Sequence, residues 1–128
     1  MVSPDIPQHV LQFIAEKVDT VPQLETLLLL REDDTRCWSE DEIAARVYVT
    51  RETARSILRT LQRHQLILAE GDPERYCYGP RQDGSRELIC EVAAAYRRHL
   101  VSIATFIHSK ASASVLEFAR AFDLKKGR

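Results

Sequence analysis

Four arginines and two threonines stand at spacings that would place their side chains together on one helix. The arginines are Arg51, Arg55, Arg59 and Arg63, and the threonines are Thr50 and Thr53. Residues four apart lie nearly above one another on a helix, so the guanidinium groups are predicted to form one slowly winding stripe. A guanidinium can donate two hydrogen bonds to guanine, and a threonine hydroxyl can bind a phosphate. This set therefore has the chemistry needed to recognise double-stranded DNA.

The sequence around the stripe predicts a helix-turn-helix. Ser39 and Glu42 have the spacing of a capping box, which starts a helix that ends near Tyr48 and Val49. Thr50 is a typical N-cap for a second helix, from Arg51 to about His64. Its apolar residues follow helical spacing: Ala54, Ile57, Leu58 and Leu61. About three residues separate the two helices, which is the connection of a helix-turn-helix.

A β-hairpin is predicted directly after this pair of helices. The β-prone segments 66–70 and 75–80 flank the turn-forming residues Gly71-Asp72-Pro73-Glu74. A helix-turn-helix followed by a hairpin is the layout of a winged helix. Residues 35–38 could add a short third strand, with Trp38 packed on the sheet. The predicted fold class is mainly α with a small β-wing (α+β).

Further helices are predicted on both sides of this unit. Two short helices precede it, the second capped by Thr20 with Gln23 as box partner and ending in the acidic run 32–34. A long helix is predicted from Ser85 to about His108, and a last one starts at Ser114 with Glu117. We therefore divide the chain into a winged helix-turn-helix domain, 1–84, and a C-terminal helical dimerisation element, 85–128. The helix-turn-helix covers about 39–65 and the wing about 66–79.

Residues 47–67 resemble the recognition-helix signature of bacterial winged-helix transcriptional regulators of the GntR, MarR and Lrp-like kind. The matching residues are Val49, Thr50, Arg51, Thr53, Ala54, Arg55, Leu58, Leu61, Leu66 and Ile67. Two positions depart from the signature, since Tyr48 and Gln65 replace glycines. A non-glycine residue with a left-handed backbone costs about 1 kcal/mol. Asp41 stands where some GntR-type relatives carry an arginine, which removes that DNA contact.

The resemblance implies a dimeric transcriptional regulator that binds a specific double-stranded DNA site, with residues 50–64 in the major groove. Arg51 and Arg55 would then read bases, and Thr50 and Thr53 would position the DNA backbone. Arg59 and Arg63 would add positive charge. On the wing, Arg75 is a candidate contact to the DNA backbone or minor groove, although a surface ion pair is an equal alternative for this residue.

The long C-terminal helix carries an apolar stripe that one small domain would not need. The stripe consists of Leu88, Ile89, Val92, Tyr96, Leu100, Ile103 and Ile107. A homodimer formed through this stripe would place two recognition helices about 34 Å apart, which suits a palindromic site. The alternative is packing within the chain against the N-terminal helices. Tyr96, His99 and His108 could line a pocket for a small-molecule effector of unknown chemistry.

The charge distribution adds a second line of argument. The chain has 18 basic and 19 acidic residues, a net charge of −1 and a pI of about 6.4, which excludes a histone-like polycation and argues against DNA binding by bulk charge. Residues 1–42 carry 10 acids and 3 bases, whereas residues 43–64 carry 5 arginines and 1 acid. The acidic N-terminal third favours an alternative function. In that alternative the arginines are a solvated helix face, and the winged helix is a protein-interaction module that docks on the transcription machinery.

Other classes of function find little support in the sequence. There is no phosphate-binding glycine loop, no metalloprotease motif and no nucleophile elbow, so we expect no enzyme, no cofactor and no metal site. No signal peptide or membrane span is recognisable, so a cytoplasmic location is expected. Three cysteines, an odd number, are expected to be reduced thiols in buried or half-buried positions. A redox-sensing role for Cys37, Cys77 or Cys90 stays open.

Overall fold

The computed structural model describes residues 5–110. Its elements are α1 (Gln8–Lys17), α2 (Val21–Glu32), β1 (Cys37–Trp38), α3 (Glu40–Val47), α4 (Arg51–Arg63), β2 (Ile67–Glu70), β3 (Arg75–Tyr78) and α5 (Ser85–Arg98). Residues 100–110 are also helical and are called α6. The predicted helix that starts at Ser114 lies outside the described residues. Within residues 5–110, no helix combines the length and the apolarity that crossing a membrane requires.

Local capping signals fix the starts of α2, α3 and α4, as the sequence predicts. The hydroxyl oxygens of Thr20 and Thr50 accept hydrogen bonds from the backbone N–H groups three residues later. Ser39 and Glu42 form both halves of a capping box, with distances of 3.1 and 2.9 Å. The Gln23 amide instead accepts from the backbone N–H of Asp19 at 2.9 Å, one residue before the N-cap. The helix starts therefore follow from local sequence.

Both glycine replacements lie where the backbone is left-handed. Tyr48 ends α3 and Gln65 follows α4, each with a φ angle of 62°. The Tyr48 side chain is 93% exposed, so it contributes no core packing that would offset the backbone cost. The turn conformation is therefore held by its surroundings, in part by the hydrogen bond from the Val49 N–H to the Ala44 carbonyl at 3.1 Å.

The three strands form an antiparallel sheet in the order β1-β3-β2, so the predicted wing and third strand are confirmed. Trp38 pairs with Tyr76, and both side chains face the core. Trp38 is 3% exposed, and the guanidinium of Arg36 stacks on its ring at 3.5 Å from the centroid. Side chains alternate along a strand, so Cys37 and its register partner Cys77 share the opposite face.

Cys37 and Cys77 are joined by a disulfide, with their Cα atoms 4.4 Å apart. The prediction that all three cysteines are reduced thiols is therefore wrong for this pair. The two cysteines are 40 positions apart in the sequence and are brought together by the pairing of β1 with β3, which cysteine spacing alone does not reveal. Cys90 is a free thiol, but it is exposed rather than buried.

The predicted long C-terminal helix is interrupted, which corrects the expectation of one helix from Ser85 to about His108. His99 ends α5 with φ −131° and ψ 46°, and α6 then packs back on the protein's own core. At the end of α6, the Lys110 ammonium donates to the carbonyls of Ile14, at 3.4 Å, and Val18. These carbonyls belong to the C-terminal end of α1, where a positive charge is favourable. The break therefore allows α6 to pack against α1.

Candidate nucleic-acid interface

Helix α4 is oriented by its apolar face. Ala54, Ile57, Leu58 and Leu61 are at most 7% exposed, and the helix packs against α2 and α3. The opposite face is in solvent. All seven side chains predicted to contact DNA are exposed: Thr50, Arg51, Thr53, Arg55, Arg59, Arg63 and Arg75. The structure thus brings six of them together on one side of α4 and leaves Arg75 on the wing.

The two threonines at the start of α4 are hydrogen-bonded to each other. The Thr50 hydroxyl accepts from the Thr53 backbone N–H at 3.1 Å and donates to the Thr53 hydroxyl at 2.9 Å. The Thr50 hydroxyl proton is thus engaged within the protein. The Thr53 hydroxyl accepts this bond and keeps its own proton to donate, for instance to a phosphate oxygen at the helix N-terminus.

Two arginines of the stripe are bound by one carboxylate from the preceding helix. Arg55 donates from Nε to Glu40 Oε2 at 3.0 Å and from Nη2 to Oε1 at 3.1 Å. Arg51 donates from Nε to Glu40 Oε1 at 3.2 Å, and its Nε also lies 3.1 Å from Asp41 Oδ1. Glu40 therefore links α3 to two successive turns of α4.

The electrostatics agree with this geometry. Hydrogen bonding from Arg55, with a smaller contribution from Arg51, lowers the pKa of Glu40 below its ordinary value of 4.5 against the opposing effect of desolvation. The same contact raises the pKa of Arg55. The Glu40 side chain is 17% exposed, whereas those of Arg51 and Arg55 are 64% and 47% exposed. The carboxylate is thus the inner, fixed partner of two outward-facing arginines.

This arrangement leaves one end of each guanidinium free for a ligand. Arg55 uses Nε and Nη2 toward Glu40, so its Nη1 group and the second Nη2 proton point elsewhere. A planar guanidinium held in this way can still donate two parallel bonds from its Nη end to guanine O6 and N7. Sequence reasoning missed Glu40, because its contact with α4 depends on the angle between the helices. The available signal was an acid at the first position of the helix before the stripe.

The remaining two arginines of the stripe make no hydrogen bond or ion pair to any described side chain. Arg59 and Arg63, together with Glu52, Arg55 and Ser56, line a shallow groove of about 380 Å³ on the outer face of α4. Three cationic side chains against one acid make this groove electropositive. It is suited to an anionic ligand such as a phosphate.

Arg75 is tied to the scaffold rather than extended from the wing. Its Nη2 lies 2.8 Å from Glu42 Oε1, and its Nε donates to the Cys37 carbonyl at 3.4 Å. The pKa of Glu42 is lowered mainly by a hydrogen bond from the Ser39 backbone N–H. The positive charges of Arg75 and Arg36 lower it further. The surface ion pair, which the sequence left as an equal alternative for Arg75, is present. A DNA contact by Arg75 stays a prediction.

The seven residues predicted for dimerisation differ in how far their side chains are buried within the single chain. Ile89, Val92, Ile103 and Ile107 are completely buried in the chain's own core, as expected for packing within the chain, and Leu88 packs partly buried against that core. Leu100 is 52% exposed. Tyr96 is half-buried and donates to Glu25 at 3.0 Å, and burial raises its pKa to about 12. The structure thus packs these four isoleucine and valine side chains within the single chain, and dimerisation through the stripe stays a prediction.

Tyr96 and Leu100 also line a groove of about 530 Å³ between α2, α3 and the end of α5. Of the three residues predicted to line an effector pocket, only Tyr96 contributes to it. His99 borders a separate, smaller depression of about 200 Å³, and His108 is exposed on α6. The structure does not bring these three side chains together.

These elements define a winged helix-turn-helix: α3 and α4 form the helix pair, and β2 and β3 form the wing. Solved structures share this architecture. The M. tuberculosis transcriptional regulator MosR is 16% identical, with a TM-score of 0.55 over 91% of this chain and 86% of that one. An S. aureus MepR mutant bound to an oligodeoxyribonucleotide is 16% identical, with a TM-score of 0.55 over 90% and 88%. A MarR family protein from Bacillus stearothermophilus is 18% identical, with a TM-score of 0.52 over 94% and 81%.

The similarity to these structures confirms the predicted winged helix-turn-helix fold. No protein-family model matches the sequence, and no curated protein is similar enough in sequence to match. At these sequence identities the similarity establishes the fold, whereas the function of this chain has to be argued from its own residues.

Proposed function

We propose that the protein is a transcriptional regulator that binds a specific double-stranded DNA site with α4 in the major groove. The observation that carries this proposal is the outer face of α4, where Glu40 holds Arg51 and Arg55 while each guanidinium keeps Nη protons that no described residue binds. The fold supports the proposal, since its structural neighbours are transcriptional regulators and one of them is bound to an oligodeoxyribonucleotide.

Each residue of the face has a separate role in this proposal. Arg51 and Arg55 donate to base edges, and the Thr53 hydroxyl donates to a phosphate. Thr50 fixes the start of the helix, and its hydroxyl positions that of Thr53. Arg59 and Arg63 bind phosphates through the open groove that they line. Arg75 approaches the DNA only if its bond to Glu42 is exchanged for one to a phosphate.

We further propose that the regulator is a bacterial, cytoplasmic homodimer. The contact surface includes Leu100 and Val101, which are 52% and 74% exposed at the point where α5 ends and α6 begins. Two adjacent exposed aliphatic side chains are a natural start for an interface, because burying them removes apolar surface from water. A two-fold dimer would read a palindromic site.

One observation favours a second candidate function, a protein-interaction module that does not bind DNA. Glu40 and Asp41 already occupy donors of Arg51 and Arg55, and thereby reduce the positive potential at the start of α4. A partner protein with mixed charges would suit such a surface. The two candidates differ in how binding to a duplex responds to salt.

The deciding experiment selects bound duplexes from a random pool with the purified chain, and then titrates the selected duplex at several salt concentrations. A DNA-binding regulator yields a defined site and an affinity that falls steeply with salt, with a slope set by the number of phosphates contacted. No enrichment, together with weak binding at low salt, would instead support the interaction module.

A further inference from the structure

Cys37, Cys77 and Glu70 form a cluster of potential ligand atoms on the face of the sheet opposite Trp38 and Tyr76, where Cys77 is buried and Glu70 is exposed. The two cysteines are register partners on β1 and β3, and Glu70 ends the neighbouring strand β2. Their sulfur and carboxylate oxygen atoms all lie within 4.8 Å of one another. Three strands therefore each contribute one group to the same point.

One distance in the cluster already matches tetrahedral coordination, whereas the two bonded sulfurs must first separate. Zn²⁺ binds sulfur at about 2.3 Å and carboxylate oxygen at about 2.0–2.2 Å, so a sulfur and an oxygen ligand stand about 3.5 Å apart. Cys37 Sγ lies 3.5 Å from Glu70 Oε1. The Cα atoms of Cys37 and Cys77 are 4.4 Å apart, so rotation about χ1 can separate two reduced sulfurs without moving the strands.

The negative charge of the cluster also favours binding of a cation once the disulfide is reduced. Two thiolates and one carboxylate would place three negative charges within a few ångströms, which is unfavourable without a counter-charge. One cation close to the cluster is Arg75, whose guanidinium is already bound to Glu42 and the Cys37 carbonyl. A divalent ion bound by the three groups leaves one net negative charge beside Arg75.

We propose that the reduced pair Cys37 and Cys77, together with Glu70, binds a thiophilic divalent cation of the Zn²⁺ type. Disulfide and metal are mutually exclusive states of this cluster. A dithiol reductant delivers two electrons to the disulfide, which becomes two thiols, while the reductant becomes a disulfide. The metal then displaces both thiol protons to the solvent and forms two metal–sulfur bonds and one metal–oxygen bond. Cys37 is partly exposed and Glu70 is exposed, which leaves a fourth position for water.

The test is a Zn²⁺ titration of the full chain, reduced with a phosphine or left oxidised, with Co²⁺ absorption as a second probe of thiolate coordination. We expect one equivalent of Zn²⁺ bound by the reduced chain and none by the oxidised chain. Cys37→Ser leaves one thiolate at the site and therefore lowers the thiolate-to-cobalt band and weakens binding. Since loss of even an outer-shell partner costs about 10- to 100-fold in metal affinity, Glu70→Gln weakens Zn²⁺ binding by at least this much.

Cys90→Ser is the matched control, because Cys90 is an exposed free thiol on α5. It leaves binding and the cobalt spectrum unchanged. Glu70 is exposed, so Glu70→Gln keeps the fold and tests the site even if a cysteine variant misfolds. Equal Zn²⁺ binding by oxidised and reduced chains, or loss of binding in Cys90→Ser alone, overturns the proposal. The titration uses no DNA, so its result is independent of the proposed function.

Discussion

Arg55 donates two parallel hydrogen bonds to the Glu40 carboxylate, from Nε at 3.0 Å and from Nη2 at 3.1 Å, across the turn between α3 and α4. The same carboxylate accepts a third bond from Arg51. A paired guanidinium loses side-chain freedom before any ligand arrives, so less remains to be lost on binding. Glu40 thus lowers the positive charge that α4 presents, but it holds the side chains of Arg51 and Arg55 in defined positions.

Arg51→Ala and Arg55→Ala are each expected to weaken binding to the selected duplex by about 1–3 kcal/mol and to relax the sequence preference at one position. The physical reason is the loss of two parallel donors to a base edge. Fluorescence anisotropy at fixed salt measures both effects. The control is Arg98→Ala, at an exposed arginine on α5, which should change the affinity for all duplexes equally. Unchanged discrimination between duplexes in both α4 variants would remove the base-reading role.

Glu40→Gln is expected to raise affinity for random duplexes and to lower the ratio of specific to random binding. The charge that opposes phosphates is lost, and so is the paired acceptor that orients the guanidinium groups. Asp41→Asn is a matched control, since it removes the same charge, and within residues 5–110 the ion pair of Asp41 is with Arg51 and not with Arg55. Competition titrations give the ratio for both variants. Equal ratios in the two variants would mean that Glu40 acts by charge alone.

The stability contributed by Glu40 should disappear in acid. Its pKa in the folded protein lies below the ordinary value of 4.5, mainly because Arg55 donates to the carboxylate. Between the two pKa values the unfolded chain binds more protons, so the free energy of unfolding rises with pH there. The contribution is complete above 4.5 and is lost as pH falls through the folded pKa. Urea unfolding of wild type and Glu40→Gln should therefore converge in acid. A constant difference over that pH range would contradict this assignment.

Ile103→Ala should lower the free energy of unfolding by about 2–5 kcal/mol, because it opens a cavity between α6 and the core. Ile103 is completely buried within the single chain. Thr105→Ala, exposed on the same helix, should change stability by about 0.5 kcal/mol or less. Urea denaturation compares the two variants. Similar small effects would mean that α6 does not pack on the chain's own core.

The double variant Leu100→Glu and Val101→Glu is expected to shift a dimer to monomers, since it places charges in an apolar contact. Sedimentation equilibrium over a range of concentrations measures the shift. Gln82→Glu adds charge to the exposed segment before α5, away from the pair, and should leave association unchanged. An unmodified chain that is monomeric at every concentration would disprove the proposed homodimer.

The parts of the fold that sequence predicted well are those with local causes. Thr20, Ser39 and Thr50 cap their helices through bonds to residues three positions later, so their roles can be recognised without tertiary structure. The apolar spacing of α4 likewise identifies its buried face. The outward position of the arginine stripe follows directly from these two signals.

The features that sequence did not predict depend on distant contacts. The pairing of Cys37 with Cys77 requires the register of β1 on β3. The bridge from Glu40 to Arg55 requires the angle between α3 and α4. The break at His99 interrupts an apolar period that continues in the sequence, because α6 finds its partner in α1. Of these relationships, the contact of Glu40 alone had a local signal, an acid at the first position of the helix before the arginines.

Trp38 gives the molecule an intrinsic optical probe at a useful place. It is the one tryptophan of the sequence, so indole emission comes from a single point. That point lies under the stacked Arg36 guanidinium, beside Cys37 and next to the N-cap of α3. Movement of the wing or the helix pair, or a change in the neighbouring sulfur chemistry, alters the surroundings of this indole. Tryptophan fluorescence can therefore follow these movements and the sulfur chemistry in real time on the unlabelled chain.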